Sequence, residues 1–229
     1  MAEPLALTGD PGQDRQALAA LARCVREGGV ALIPTDTVYG LACDPASAKA
    51  VKRLYGVKER PPDKPSALIF FNLEAALRSL DFLPPLLTEA LRRLLPGALT
   101  VILPNEGRRW PLACEPAQAL AGSPPSGEPP GLGVRVPRLA GRLACLKELS
   151  LPLLQSSANR SGGRDAGSLA ALEGEVVARA DLVIDGGRLG GEASTVVDLR
   201  GLERGEGAKV VREGPVSRAE IEAALADLR

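Results

Sequence analysis

The sequence predicts one α/β domain on a twisted sheet of mixed strand direction, and three observations carry that reading. Short apolar runs of strand length recur at Val30-Ala31-Leu32-Ile33 and at residues 67–71, 99–103, 133–137, 151–154 and 182–184. Helical periodicities lie between them without strict strand–helix–strand alternation, which points to mixed rather than purely parallel pairing. At 229 residues, 45% of them hydrophobic, the chain is long enough for one sizeable core and short for two.

Residues 1–12 are weakly patterned and read as an N-terminal extension over the surface; residues 13–229 read as the domain. From Gln13 to Glu27, the apolar Ala17, Leu18, Leu21, Ala22 and Val25 recur at helical spacing, and Gly28-Gly29 supplies the stop. The 30–33 strand ends at Pro34, which has no N–H for a ladder. Thr35-Asp36-Thr37-Val38-Tyr39-Gly40-Leu41 follows as a polar turn. Asp44-Pro45 reads as an N-cap with proline in the first helical position, for a helix through Val51 and Leu54 that stops at Gly56. Helical patterns around 73–80 and 85–95 break at Pro96-Gly97 before the 99–103 strand.

Residues 105–131 are rich in Pro, Gly, Ala and Ser without period and read as a mobile loop. Residues 140–149 and 169–179 read as helices. The strand at 151–154 enters a second polar turn, Gln155-Ser156-Ser157-Ala158-Asn159-Arg160-Ser161-Gly162-Gly163. Residues 194–199 and 209–211 read as paired strands. Ser217-x-x-Glu220 is a capping box for a last helix with Ile221, Ala224, Leu225 and Leu228 on its apolar face.

Composition removes several functions. The chain has no histidine, so a Ser-His dyad, a histidine general base and a His-ligated metal are all excluded. The four cysteines (Cys24, Cys43, Cys114 and Cys145) form no C-x-x-C pair, which leaves reduced thiols as the simple reading. Lys+Arg and Asp+Glu both number 28, so attraction to nucleic acid over the whole surface is disfavoured, whereas a local basic cleft stays open. No membrane span or signal-like start is found, and a cytoplasmic protein is expected.

Three constellations bear on chemistry. Lys58, Arg60 and Lys64 fall in a segment stiffened by Pro61, Pro62 and Pro65, which lowers the entropy lost in holding cations in place. Fixed cations beside a strand end suit phosphate; a solvated basic loop is the plain alternative. The Thr35–Gly40 and Ser156–Gly163 turns both place hydroxyls at strand ends, where open α/β sheets bind ligands. Hydroxyls that merely cap their own turns would look the same. Arg135, between Val134 and Val136, needs an anionic partner or an exposed face, and Arg212 after Val210-Val211 poses the same question.

Six motifs in order resemble the YrdC/Sua5 family: 34–41, Lys58-x-Arg60, Pro96-Gly97-x-Leu99-Thr100, Val134-Arg135-x-Pro137, Ser157-Ala158-Asn159 and Ser194-Thr195-Val196-Val197-Asp198. The resemblance spans about residues 15–215 and is to the short form without the additional C-terminal Sua5 domain. It implies a YrdC-like twisted open mixed sheet, flanked by helices, around a basic concave cleft. The implied activity is that of a nucleotidyltransferase, L-threonylcarbamoyladenylate synthase. L-threonine, bicarbonate and ATP, with Mg²⁺, give threonylcarbamoyl-AMP and pyrophosphate. The product would feed a threonylcarbamoyl transferase complex for the t6A37 modification of tRNA, with direct tRNA contact left open.

Carried over by position, Lys58, Arg60, Ser157 and Asn159 would form the set around the nucleotide phosphates, joined at ATP by Lys64 and Arg212. Thr35, Arg135 and Thr195 would form the threonine site, with Arg135 on its carboxylate. Lys64 replaces a common Asn, and Ile69 stands where some members place a threonine-contacting His, so that contact should be absent. Asp165 and Ser168 both remain candidates for a serine near ATP. Two rivals stand beside this reading: a carbamoyl-transfer domain of the hydrogenase-maturation type, and a non-enzymatic RNA-binding module. The first would bring acylphosphatase and zinc-finger regions that this chain lacks. Few aromatics for stacking and zero net charge count against the second.

Overall fold

A computed structural model describes residues 3–121, 130–160, 162–163 and 165–228. Ten strands form one sheet: β1 (Leu5–Ala6), β2 (Ala31–Ile33), β3 (Gly40–Cys43), β4 (Ala67–Ile69), β5 (Leu99–Leu103), β6 (Leu132–Arg135), β7 (Leu153–Ser157), β8 (Leu182–Asp185), β9 (Thr195–Asp198) and β10 (Lys209–Arg212). Their order is β1-β8-β2-β3-β7-β4-β6-β5-β9-β10. Four neighbouring pairs are parallel (β1/β8, β2/β8, β4/β6, β5/β9) and the other five antiparallel, so the mixed sheet expected from the sequence is found.

Side-chain alternation explains why half of this sheet is covered on both faces and half is not. In β2 and its preceding residue, Val30 and Leu32 join one apolar cluster while Ala31 and Ile33 join another on the opposite face. Residues 68–71 split in the same way. In β5, by contrast, Leu99, Val101 and Leu103 are buried while Thr100 and Ile102 stay half-exposed. Residues Gly133 in β6 and Val196 in β9 share that uncovered face, which becomes the floor of a cavity.

The helices are α1 (Pro11–Arg26), α2 (Ala48–Lys58), α3 (Leu73–Ser79), α4 (Pro85–Leu94), α5 (Pro111–Cys114), α6 (Pro116–Ala121), α7 (Gly174–Arg179) and α8 (Arg218–Leu225). Helix α1 is capped by Asp10, whose carboxylate accepts from Gly12 N and Gln13 N. The capping box at Ser217 and Glu220 opens α8 as expected.

Several local expectations are corrected. Helix α2 is capped by Ser47, not Asp44, and runs through Gly56 to Lys58. Burial of Val57 and Lys58 offsets the ~1 kcal/mol that a helical glycine costs. Glu59 then closes the helix in the left-handed region at φ 50°. Gly40–Cys43 is a central strand rather than the tail of a turn, and Ser156 and Ser157 end β7 rather than starting a turn. Residues 5–6 supply an edge strand and Leu7 is fully buried, so this part of the N-terminal segment is built into the sheet. The 140–149 pattern forms a 3₁₀ helix at Gly141–Glu148, and 169–179 divides into a 3₁₀ turn and α7. Within the segment read as a mobile loop, residues 111–121 carry α5 and α6; residues 122–129 lie outside the described residues, as does Ser161. All four cysteines are free.

Candidate active site

A cavity of about 390 Å³ opens on the uncovered face of the sheet, within the size range of small-molecule sites. Arg60, Arg135, Arg200 and Arg212 line it with Ser156, Ser157, Ser194, Thr100 and Gln155, and none of the described lining residues is acidic. Two of the four cations are matched by carboxylates. Arg200 forks onto Asp198, and Arg135 pairs with Asp36 at 3.2 Å.

Arg135 is the buried anchor. It sits on β6 with only 4% exposure, and its guanidinium is held from three sides. Nη2 donates to Asp36 Oδ1 and to Thr37 Oγ1 at 2.9 Å, and Nη1 donates to Gln155 Oε1 at 3.3 Å. Nε has no partner among the described residues. Asp36 is the anion that the sequence required, and its second oxygen accepts from Arg138 N at 2.8 Å. Burial lifts the Asp36 carboxyl above the ordinary carboxylate range, with Arg135 opposing that rise.

The Lys58, Ser157 and Asn159 side chains come together as one cluster. Lys58 ends α2 with 1% exposure, and its ammonium donates to Ser157 O, to Asn159 O at 2.7 Å and to Asn159 Oδ1 at 3.0 Å. Three donors meet three acceptors, so in this structure the lysine fastens the turn after β7. Burial, then Arg60, lower its pKa to about 8, while Asp165 acts in the opposite direction. Ser157 Oγ donates to Asn159 Oδ1 at 2.6 Å, and Asn159 Nδ2 donates to Gly163 O. From the outside, Arg160 holds the same turn through Glu59, Glu173 and Glu175.

Arg60 reaches the cavity from the proline-braced segment. Its guanidinium donates to Lys64 O and Pro65 O and lies 5.9 Å from the Tyr55 ring, so the segment folds around its own arginine. The Lys64 side chain is exposed and lies off the cavity lining. Arg212 donates to Ser194 O at 2.7 Å on the far wall.

Thr35 and Thr195 stand one layer behind the cavity wall. Thr35 is fully buried; its hydroxyl donates to Val38 O at 2.7 Å and accepts from Val38 N, which is the capped-turn geometry. Besides Val38, which lines the cavity, it reaches Arg135 through Thr37, 3.0 Å away, which accepts from Arg135. Thr195 Oγ1 donates to Val216 O at 2.7 Å and accepts from Val216 N, strapping residues 213–217 onto β9. Ile69 is fully buried and registers beside Arg135. Asp165 carries charge toward both Lys58 and Arg135, whereas Ser168 precedes the 169–171 turn without a side-chain cap bond.

Sequence reasoning missed Gln155, Asp36 and Thr37 as organisers of the cavity. The available signal was a glutamine directly after Leu153-Leu154, at a position where a strand interior needs a partner. Among the described residues, no cluster of three or more His, Cys, Asp or Glu side chains could cage a metal. No described helix is long and apolar enough to cross a membrane.

An arginine- and hydroxyl-lined hollow on the bare half of a mixed sheet defines the class: an α/β protein built to hold a small anionic molecule. The family is set by comparison. The Sua5_yciO_yrdC family model, described as "Telomere recombination", matches residues 23–214, and the chain belongs to that family. It is 36% identical over 175 residues to a threonylcarbamoyl-AMP synthase of Xanthomonas campestris pv. campestris, covering 74% of this chain and 83% of that protein. The structure of P. abyssi Sua5 complexed with L-threonine is 28% identical with a TM-score of 0.69; the likeness covers 95% of this chain and 58% of that one. E. coli YciO is 26% identical with a TM-score of 0.72, over 96% of this chain and all of that one.

Proposed function

We propose that the protein is an L-threonylcarbamoyladenylate synthase, a nucleotidyltransferase acting on L-threonine, bicarbonate and ATP. The observation that carries this is one hollow lined together by Arg135, Arg60, Ser157 and Arg212. Membership in a family with relatives named threonylcarbamoyl-AMP synthase, and a Sua5 structure with bound L-threonine, supports the same reading.

The reaction balances without a histidine. The threonine amine condenses with bicarbonate, releasing water and leaving a carbamate. A carbamate oxygen attacks the α-phosphorus of ATP, the bond to the β-phosphate oxygen breaks, and pyrophosphate leaves. This chain's residues bind, orient and neutralise. Arg135 takes the amino-acid carboxylate, and Arg60, Arg212 and Ser157 take phosphate oxygens. Lys58 and Asn159 keep the Ser157 turn in shape, and Lys58 joins the phosphates where the turn yields. Thr35 and Thr195 set the walls behind Arg135 and β9, and Lys64 adds charge at the rim.

Mg²⁺ arrives with ATP as the phosphate counter-ion. The cavity's cations suit a metal held by phosphate rather than by a protein cage. The product's use is t6A37 formation by a threonylcarbamoyl transferase complex acting on tRNA, which gives the protein a cytoplasmic place.

Release of pyrophosphate from ATP tests the proposal. It should require both L-threonine and bicarbonate; release that ignores either one would refute it.

A further inference from the structure

We propose that Tyr55 is the positioning residue for Arg60: its hydroxyl fixes the 64–66 segment whose carbonyls hold that guanidinium at the cavity wall. The inference rests on the synthase reading, in which Arg60 meets a phosphate, and adds a residue that acts without touching substrate.

Tyr55 packs in the core on α2 with 4% exposure and does not line the cavity, whereas Arg60, Pro65 and Ser66 do. Its hydroxyl donates to Lys64 O at 2.8 Å and lies 3.0 Å from Ser66 Oγ. A phenol carries one hydrogen and a carbonyl only accepts, so that hydrogen is committed to Lys64 O. The Ser66 hydroxyl is then the donor to Tyr55. Burial raises the pKa of the phenol, which keeps its proton and this direction of bonding at neutral pH. One oxygen thus ties down the residues on both sides of Pro65.

Arg60 is fastened to the same segment. Its Nε donates to Lys64 O at 3.2 Å and its Nη2 to Pro65 O at 2.7 Å. Lys64 O therefore takes one hydrogen from Tyr55 and one from Arg60, which fills both of its lone pairs. Two of the five guanidinium N–H groups go to these carbonyls, and the remaining three, both on Nη1 among them, are left to meet an anion. Lys58, three residues on from Tyr55, fastens the turn after β7, so the end of α2 holds two stretches of the cavity wall. A core aromatic chosen only for its ring would serve equally well as phenylalanine. The hydroxyl is what presets the cation, so that ATP does not have to order the segment as it binds.

Tyr55→Phe removes that oxygen and keeps the ring. Pyrophosphate release would give kcat/KM for ATP and for L-threonine, and thermal unfolding would check the fold. For ATP, kcat/KM should fall ~3–10-fold, the usual worth of a neutral hydrogen bond. For L-threonine at saturating ATP it should stay within about twofold, by the same reasoning. The change is then repeated on Arg60→Lys, which keeps the charge and loses the fork. With no fork left to position, the further loss should be less than about twofold. If Arg60→Lys turns over too slowly, calorimetry with a non-hydrolysable ATP analogue supplies the same comparison from Kd.

Undiminished kcat/KM for ATP in folded Tyr55→Phe would overturn the proposal. So would an equal loss for L-threonine, or a loss of equal size on the wild-type and Arg60→Lys backgrounds. If Arg60→Ala itself leaves pyrophosphate release unchanged, Arg60 leaves the site and this inference goes with it. An impaired Arg60→Ala beside an unaffected Tyr55→Phe sinks the Tyr55 role alone.

Discussion

Lys58→Met exchanges a buried ammonium for an apolar side chain of similar length, and its consequences depend on pH in a way that can be worked out. At neutral pH two changes oppose each other. Ser157 O, Asn159 O and Asn159 Oδ1 lose their donor, and a buried acceptor left unpaired costs about 1–3 kcal/mol. The buried charge is removed as well. The fall of the lysine pKa from 10.5 to about 8 corresponds to ~3.4 kcal/mol spent on keeping it charged. With three acceptors affected, the net change in stability at pH 7 should run from near zero to about 5 kcal/mol of destabilisation.

At pH 9.5 the balance differs. The unfolded lysine still holds its proton, whereas the folded one has released it. The unfolded state then binds more protons, so wild-type stability rises with pH between about 8 and 10.5. From pH 7 to 9.5 the gain is roughly 2 kcal/mol, and the methionine variant lacks it. For a domain of this size that amounts to about 4–8 °C in Tm. Thermal unfolding of both proteins by circular dichroism at the two pH values measures it, and the difference between them cancels cysteines and tyrosines that titrate in both. A Tm gap that does not move with pH would refute the buried-ammonium account.

Three further outcomes are expected. Arg60→Ala should lower pyrophosphate release by ~100-fold or more while shifting stability by less than about 1 kcal/mol, because its remaining bonds are to exposed carbonyls; unchanged release would remove Arg60 from the site. Arg135→Met leaves Asp36 buried without its cation and should destabilise by about 3–5 kcal/mol in urea titration. Adding Asp36→Asn should recover a good part of that loss, and strict additivity of the two changes would contradict the pairing. Thr195→Val severs both bonds to Val216, and amide exchange at Val216 should quicken while KM for L-threonine holds. The reverse pattern would make Thr195 a direct substrate contact.

Strands were legible in the sequence wherever an apolar run was long enough, whether covered on both faces or, as at 99–103, on one. Continuous apolar runs at 30–33 and 67–71 announce themselves whatever the topology. Gly40 and Leu41 read as the end of a polar turn because a glycine follows polar neighbours; the strand character of Gly40–Cys43 comes from pairing with β2 and β7. Gly56 was read as a helix stop because local propensity favours that, and tertiary burial of Val57 and Lys58 overrode it.

The site was legible in composition more than in geometry. Arg135's need for an anion could be inferred from Val134 and Val136, but not that Asp36 would supply it from 99 residues away. Likewise the hydroxyls of Thr35 and Thr195 are visible in the sequence, while only the fold shows them bonded to Val38 and Val216. Gln155 carries no motif, and its bond to Arg135 emerges only from the fold.

The central claim is that amino acid and nucleotide share a single hollow. A crystal structure of the protein with L-threonine and a non-hydrolysable ATP analogue tests it most directly. The account predicts both ligands in the cavity on the bare half of the sheet, with the carboxylate on Arg135 and phosphate oxygens at Arg60 and Ser157. Ligands bound on separate surfaces, or phosphates remote from Arg60, would contradict it.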